Sequence, residues 1–227
     1  MTDPRPRALV TGASRGIGAA IARALAPTHD VLLGGRDARS LEALARDLPG
    51  KARPWVVDLA HPGKIAGVTA DIDRLDVLVH NAAVAEPGTI ADASPEVWQR
   101  IFAVNLFSAA ELTRLLLPSL RQGRGHVVLI NAGSGLRIKS NRGPYAASKY
   151  ALRAFADALQ AEEKPNGVRV TSIHPGPTDT DLQRKAAERA GQEYRPDQFL
   201  RPESVADVVA NAVRAPADAT VTDAVID

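Results

Sequence analysis

The sequence predicts one α/β domain built on a parallel β-sheet with helices on both faces. The chain has 227 residues, a length that fits one large domain. Short apolar runs alternate with longer amphipathic runs along it, and no internal repeat or long linker divides it. The short runs are rich in valine, isoleucine and leucine, and several lack the polar alternation of a half-exposed strand. We therefore predict a Rossmann-type, doubly wound, seven-stranded and mostly parallel sheet in a single domain over residues 1–227.

The individual elements follow from the same pattern. The predicted strands are 8–12, 30–35, 53–58, 76–82, 125–132, 167–176 and 220–227. The predicted helices are 16–26, 38–48, 95–121, 144–163 and 202–214. The last of these has a proline near its first turn and stops before another proline, as helices commonly do. Strands and helices in this order indicate right-handed βαβ units.

Composition excludes several classes of function. The net charge of +2 is too small to indicate a nucleic-acid partner. The chain has no cysteine, and its five histidines do not cluster with ligand spacing, so we expect no metal site. The first residues lack the apolar core of a signal peptide, and no apolar run approaches the length that spans a bilayer. We expect a cytoplasmic protein with no membrane partner.

A glycine-rich segment follows the first strand and opens the first helix. This segment, TGASRGIG at 11–18, provides the following candidate cofactor-binding residues: Gly12, Ser14, Arg15, Gly16, Ile17 and Gly18. The glycines permit a tight turn and the close approach of a pyrophosphate, and the free amides of the helix start then face the phosphates. A plain glycine turn is the alternative, but the strand before it and the helix after it favour a dinucleotide site.

The end of the second strand indicates which dinucleotide is preferred. The sequence there is GGRD, with Arg36 where an acidic residue would bind the ribose 2′-hydroxyl. Since guanidinium groups bind phosphate bidentately, we predict NADP(H) rather than NAD(H), with Arg15 as a second possible cation. Two alternatives remain: Arg36 is a surface arginine, or Asp37 lies near the ribose instead of capping the next helix.

Polar residues also end the third and fourth strands. Asp58, followed by Leu59, is a candidate for contact with the adenine amino group. Asn81, followed by Ala82, is a candidate for holding neighbouring strands together beside the coenzyme. Both polar residues serve equally well as loop caps.

Tyr145 and Lys149 suggest a proton-transfer site. They are four residues apart on one predicted helix, so their side chains share a face. The lysine ammonium is expected to lower the pKa of the tyrosine. A pair on an exposed helix face is the alternative, but the small residues between them favour packing against a cofactor.

The motifs TGASRGIG, VVDL, HNAA, VNL, YAASK and HPGPTDT occur in that order along nearly the whole chain. This ordered set resembles the short-chain dehydrogenase/reductase family. The resemblance implies hydride transfer between NADP(H) and a small-molecule carbonyl or alcohol, with Tyr145 as proton donor or base and Lys149 also bound to the nicotinamide ribose. It implies that Asn105 holds a proton-relay water. It implies a homodimer or homotetramer formed through helices 95–121 and 144–163.

The same resemblance assigns the segment after the sixth strand to the coenzyme. Pro175 and Gly176 would lie against the nicotinamide, and Thr178 and Thr180 would hold the carboxamide and the diphosphate. The alternative is an ordinary proline-glycine turn. The following segment, 179–200, corresponds to the variable lid over the substrate. It contains Arg184, Lys185, Arg189 and Arg195, which suit an anion, but a solvated helix face is the simpler explanation.

One residue that the resemblance implies is missing. The family's serine precedes the tyrosine by thirteen residues, and that position is Ala132. Either Ser134 supplies the hydroxyl after a shift of the loop, or a backbone amide or water replaces it, or the chain carries a serine-to-alanine change. The leading function is therefore an oxidoreductase, and the alternative is a catalytically weak or inactive NADP(H)-binding sensor or scaffold. His80, at a position where the family often has asparagine, is expected to be a buried structural histidine.

Overall fold

The predicted seven strands form one sheet, and every pairing in it is parallel. The structure is a computed structural model, which describes residues 5–86, 88–136, 140–189, 191 and 193–227. The strands are β1 Arg7–Val10, β2 Asp30–Gly35, β3 Ala52–Val56, β4 Val77–His80, β5 His126–Ile130, β6 Arg169–Pro175 and β7 Asp223–Ile226. Their order across the sheet is β3-β2-β1-β4-β5-β6-β7. The doubly wound, Rossmann-type prediction is confirmed.

The strand order places a crevice at the middle of the sheet. The chain begins at β1, winds outward through β2 to β3, and returns to place β4 on the other side of β1. The connection after β1 therefore leads to one side of the sheet, and the connection after β4 leads to the other. A crevice lies between the carboxyl ends of these two strands. Ligands of doubly wound sheets bind at this point of reversal.

The helices cover both faces of the sheet. They are α1 Gly16–Leu25, α2 Ala38–Asp47, α3 Ala66–Thr69, α4 Pro95–Phe102, α5 Ser108–Gly123, α6 Gly143–Glu163, α7 Asp181–Arg189 and α8 Pro202–Arg214. A wider helical segment, Ala103–Phe107, joins α4 to α5. Each predicted helix is present, but the one predicted over 95–121 is divided at this segment and ends at Gly123.

Alternate residues of the central strands enter two separate cores. In β5, Val128 and Ile130 join the core under α1, α2 and α8, whereas Val127 and Leu129 join the core under α5 and α6. This is why the strands read as continuous apolar runs: both faces are buried. The edge strand β3 tolerates Pro54, because an edge needs fewer amide donors.

One expectation about apolar runs needs correction. The continuous helical stretch Pro95–Gly123 is long and apolar enough, by length and composition, to cross a membrane. Leu112, Leu116 and Leu120 of this stretch are buried in the sheet core. Because a core helix passes the same test, the stretch is weak evidence for a membrane location.

Candidate active site

A cleft of about 670 Å³ opens at the carboxyl edge of the sheet, within the size range of small-molecule sites. It runs from the glycine turn after β1 to the first turns of α6. Most predicted residues line it: Gly12, Ser14, Arg15, Gly16, Ile17, Arg36, Asp58, Leu59, Asn81, Ala82, Tyr145, Lys149 and Thr180. The fold therefore brings the two ends of the predicted site into one cleft.

The conformation and close packing of the glycine turn leave no room for side chains at its glycines. Gly12 and Gly16 have φ of +65° and +55°, which L side chains rarely adopt. A Cβ on Gly18 would lie 2.2 Å from the Gly12 carbonyl oxygen and 2.5 Å from Asn81 Nδ2. No side chain caps the amino end of α1. Its amides are therefore available to phosphate oxygens, which fits a dinucleotide pyrophosphate.

Gly18 does not line the cleft but supports the turn from beneath. We expect Gly18→Ala to reduce the free energy of unfolding by about 1–3 kcal/mol, because the methyl group meets backbone that must move. Coenzyme binding should weaken as well, since the turn carries the phosphate amides. Urea denaturation and a coenzyme titration measure the two effects.

Gly67→Ala is the matched control, since a Cβ there meets nothing within 4 Å and lies in helix α3. Alanine at this position should be neutral or stabilising. A Gly18→Ala protein as stable as wild type would contradict the packing role.

The residues after β2 divide between the cleft and the next helix. Arg36 is exposed and lines the cleft. Asp37 caps α2: it accepts hydrogen bonds from Arg39 N at 3.1 Å and from the Ser40 hydroxyl. The Ser40 hydrogen bond holds the pKa of Asp37 below its usual value. The carboxylate is therefore used as a helix cap, and the cation is the residue that faces the cleft.

Asn81 joins β4 to the glycine turn. Its Nδ2 donates to the carbonyl oxygens of Thr11 and Gly12, at 2.9 and 3.2 Å. The Thr11 hydroxyl accepts from the amides of Asn81 and Ala82. These bonds fit the predicted linking role of Asn81 and add Thr11, which the motif reading passed over. Asp58 caps the loop by accepting from Ala60 N at 3.0 Å and also lines the cleft, so its contact with adenine stays a prediction.

Tyr145 and Lys149 lie together on the first turns of α6. Lys149 Nζ is 5.8 Å from the centroid of the Tyr145 ring and donates to the Ile130 carbonyl oxygen at 2.8 Å. Only 8% of Tyr145 and 2% of Lys149 is exposed. The alternative of an exposed helix face is therefore wrong, and the pair forms part of the cleft wall.

The pKa of Tyr145 differs from the expectation. Burial raises it to about 12, with the nearby charge of Arg142 acting in the opposite direction. Burial also lowers the pKa of Lys149 to about 8. The predicted lowering of the tyrosine pKa is thus wrong for this structure, because desolvation outweighs the charge effect. The phenol keeps its proton at neutral pH, as a proton donor to a carbonyl requires.

Asn105 holds the cleft wall rather than lining it. It is 2% exposed and lies in the wider helical segment between α4 and α5. Its Oδ1 accepts from Val84 N at 2.8 Å, and its Nδ2 donates to the Val84 carbonyl and to Ser148 Oγ. It therefore fixes the loop after β4 against α6, and the implied relay water stays a prediction.

Ala132 does not line the cleft, although its neighbour Asn131 does. Ala132 is half-buried, and its backbone is extended, at φ −165° and ψ 159°. The side chain of Ser134 lies outside the described part of the structure, so its role as substitute hydroxyl stays a prediction.

His80 is a structural residue, as expected: it is hydrogen-bonded to Thr113, and burial lowers its pKa to about 3.

The predicted residues after β6 are only partly in the cleft. Thr180 lines it, and Gly16 packs against it: a Cβ on that glycine would lie 3.2 Å from the Thr180 methyl. Gly176 donates to the Ile226 carbonyl, and the buried Thr178 donates to the Gly176 carbonyl. Pro175, Gly176 and Thr178 are not among the lining residues. Their contacts with nicotinamide stay predictions.

Sequence reasoning missed several charged residues of the cleft, namely Glu86, Arg100, Arg142 and Asp181. Glu86 and Arg100 form a bidentate pair at 2.7 and 2.6 Å between segments that no local motif connects. Arg142 lies one helical turn before Tyr145, a spacing that could have indicated it.

The 179–200 segment contains four cations with different surroundings. Lys185 lines the cleft, and Arg184 and Arg195 are ion-paired. The Arg189 side chain lies outside the described residues.

Comparison with known proteins identifies the family of the chain. The family model for short chain dehydrogenase matches residues 6–191. Dehydrogenase/reductase SDR family member 7B of Bos taurus is 38% identical over 201 residues, which is 82% of this chain but 62% of that protein's length.

Two solved structures are similar over nearly their whole length. An alcohol dehydrogenase from the archaeon Thermococcus sibiricus, complexed with 5-hydroxy-NADP, has a TM-score of 0.88 and 26% identity, covering 97% of this chain and 95% of that one. A metagenomic short-chain oxidoreductase in complex with NADP has a TM-score of 0.83 and 31% identity, covering 97% and 96%. The chain belongs to the short-chain dehydrogenase/reductase family of oxidoreductases.

Proposed function

We propose that the chain is an NADP(H)-dependent oxidoreductase that transfers hydride between nicotinamide and a carbonyl or secondary alcohol. The observation that carries this proposal is that Tyr145 and Lys149 lie in the same cleft as the glycine turn and Arg36. The coenzyme, when bound, supplies the hydride. The chain supplies orientation and the proton.

Tyr145 is the group suited to move that proton. Its pKa of about 12 keeps the phenol protonated at neutral pH, so it can donate to the oxygen of a carbonyl that receives hydride. The reaction leaves a phenolate, and the ammonium of Lys149 nearby stabilises this negative charge. Lys149 is itself held by the Ile130 carbonyl, which fixes the geometry of the pair.

The preference for NADP(H) is supported by charge at the end of β2. Arg36 is exposed on the cleft wall, whereas the adjacent carboxylate of Asp37 is used to cap α2. The described residues include no hydrogen-bond or ion-pair partner for the Arg36 guanidinium. The two similar structures reported above are complexes with 5-hydroxy-NADP and with NADP, which supports the same preference.

We expect Arg36→Gln to lower the preference for NADPH over NADH by roughly 10- to 100-fold, the value of a charge-assisted hydrogen bond. The loss should appear in Kd for NADPH and leave Kd for NADH nearly unchanged. Arg39→Gln is the matched control, because Arg39 is exposed on the same turn but does not line the cleft. An unchanged coenzyme ratio in Arg36→Gln would contradict the assignment.

The function itself is tested by NADPH absorbance against a panel of ketones and aldehydes. Oxidation of NADPH with at least one of them supports the proposal. Ala132 is the observation that favours a sensor or scaffold instead. Binding of NADPH without oxidation by any member of the panel would favour that alternative.

Assembly into a homodimer or homotetramer is also proposed. Two large apolar side chains are exposed on the helices implied in pairing, Phe107 at 52% and Tyr150 at 38%. A second copy of the chain would cover them.

A further inference from the structure

Ion pairs neutralise two of the arginines in the cleft. Arg100 is held by Glu86 at 2.6 Å, and Arg15 is held by Asp181 at 3.2 Å. Arg15 is therefore a weaker candidate for a second phosphate cation than the sequence suggested. The charges that remain for ligands are those of the other cleft cations.

Arg36 and Arg142 lie at opposite ends of the cleft. Arg36 is at the coenzyme ribose end, after β2, and Arg142 is at the start of α6 beside the reacting phenol. The guanidinium of Arg142 has no hydrogen-bond or ion-pair partner within the described ranges. The residue is half-buried and lines the cleft. A cation that lines a cleft without a carboxylate partner favours an anionic ligand.

The backbone holds Arg142 in place. Residue 142 pairs with Gly88 of the loop after β4 in an isolated parallel bridge, and Gly88 N donates to the Asn141 carbonyl at 3.1 Å. Arg142 lies three residues before Tyr145 in the sequence, and both residues line the cleft. The cleft lining includes a further cation, the exposed Lys185 of α7.

We propose that Arg142 binds a carboxylate of the substrate, with Lys185 adding a second positive charge, so that the substrates are short oxo acids or the matching hydroxy acids. This inference rests on the proposed oxidoreductase function and specifies its substrate class. A planar guanidinium matches a carboxylate through two parallel hydrogen bonds, and one such arginine balances one negative charge. The carbonyl to be reduced would lie beside Tyr145, a few bonds from the carboxylate, because Arg142 is one turn away.

The test compares acids with their uncharged esters. With NADPH, kcat/KM is measured for acetoacetate and methyl acetoacetate, and for levulinate and methyl levulinate. We expect the wild-type protein to prefer an acid to its ester, and Arg142→Gln to lower the acid-to-ester ratio about 10- to 100-fold. Lys185→Gln should lower the ratio less, since Lys185 is exposed. Arg46→Gln, on the exposed side of α2, should leave the ratio unchanged.

Binding without turnover provides a second readout. Calorimetry with Tyr145→Phe and oxidised coenzyme should show acetoacetate binding. The added Arg142→Gln substitution should weaken this binding by a factor similar to the change in the acid-to-ester ratio.

Failure of the carboxylate site and failure of the oxidoreductase function give different results. If the esters are reduced but Arg142→Gln leaves the acid-to-ester ratio unchanged, the carboxylate site is wrong and the oxidoreductase stands. If neither acids, esters nor other carbonyls are reduced, both proposals are overturned.

Discussion

Replacing Tyr145 with phenylalanine is expected to lower kcat for ketone reduction by at least about 10³-fold, near the upper part of the range for a general acid. The substitution removes one oxygen atom and keeps the ring. The ring packs beside Lys149 and is 8% exposed, so the fold and the cleft should survive. The loss should therefore appear in kcat and leave NADPH binding nearly intact.

Two measurements separate chemistry from binding in this variant. NADPH affinity is measured by fluorescence titration, and turnover is measured by absorbance under saturating coenzyme. Tyr150→Phe is the matched control, because Tyr150 lies five residues along the same helix and is not among the residues that line the cleft. A Tyr145→Phe protein with undiminished turnover would refute the role of the phenol, whatever its affinity for coenzyme.

The features predictable from sequence are those with a local cause. The glycine turn was predictable because a strand precedes it and a helix follows: Gly12 and Gly16 have the positive φ that glycine permits, and Gly18 has no room for a Cβ. The apolar strands read correctly because each inner strand is buried on both faces, which leaves no polar alternation. Tyr145 and Lys149 were placed together because four residues make one helical turn.

The features that escaped prediction depend on distant residues or on burial. Glu86 and Arg100 meet only because the loop after β4 folds against α4, and nothing in either segment indicates the other. The pKa of Tyr145 could not be read from its spacing to Lys149, because the direction is set by how completely the fold removes the phenol from water. The predicted helix 95–121 is interrupted at Ala103–Phe107, and the one sequence feature that indicated this was the polar Asn105 in an apolar run.

Placing a serine at position 132 is expected to raise kcat by on the order of 10²-fold, the lower part of the range for one oxyanion hydrogen-bond donor. The backbone of Ala132 is extended and accepts a serine without strain. The residue is half-buried next to Asn131, which lines the cleft, so we expect an added hydroxyl to lie near the reacting oxygen. We expect a gain in kcat at the lower end of this range because Ala132 itself is not among the residues that line the cleft.

Ser134→Ala, alone and combined with Ala132→Ser, decides between the possible origins of the hydroxyl. If Ser134 already supplies it, Ser134→Ala should lower kcat about 10²-fold, Ala132→Ser should add little to the wild type, and the double variant should regain the wild-type rate. If no side chain supplies it, Ser134→Ala should be silent and Ala132→Ser should give the full gain in both backgrounds. We expect the second pattern, because the position thirteen residues before Tyr145, where the resemblance implies the serine, is alanine in this chain. A silent result for both single variants would show that proton transfer at Tyr145 proceeds without a hydroxyl partner.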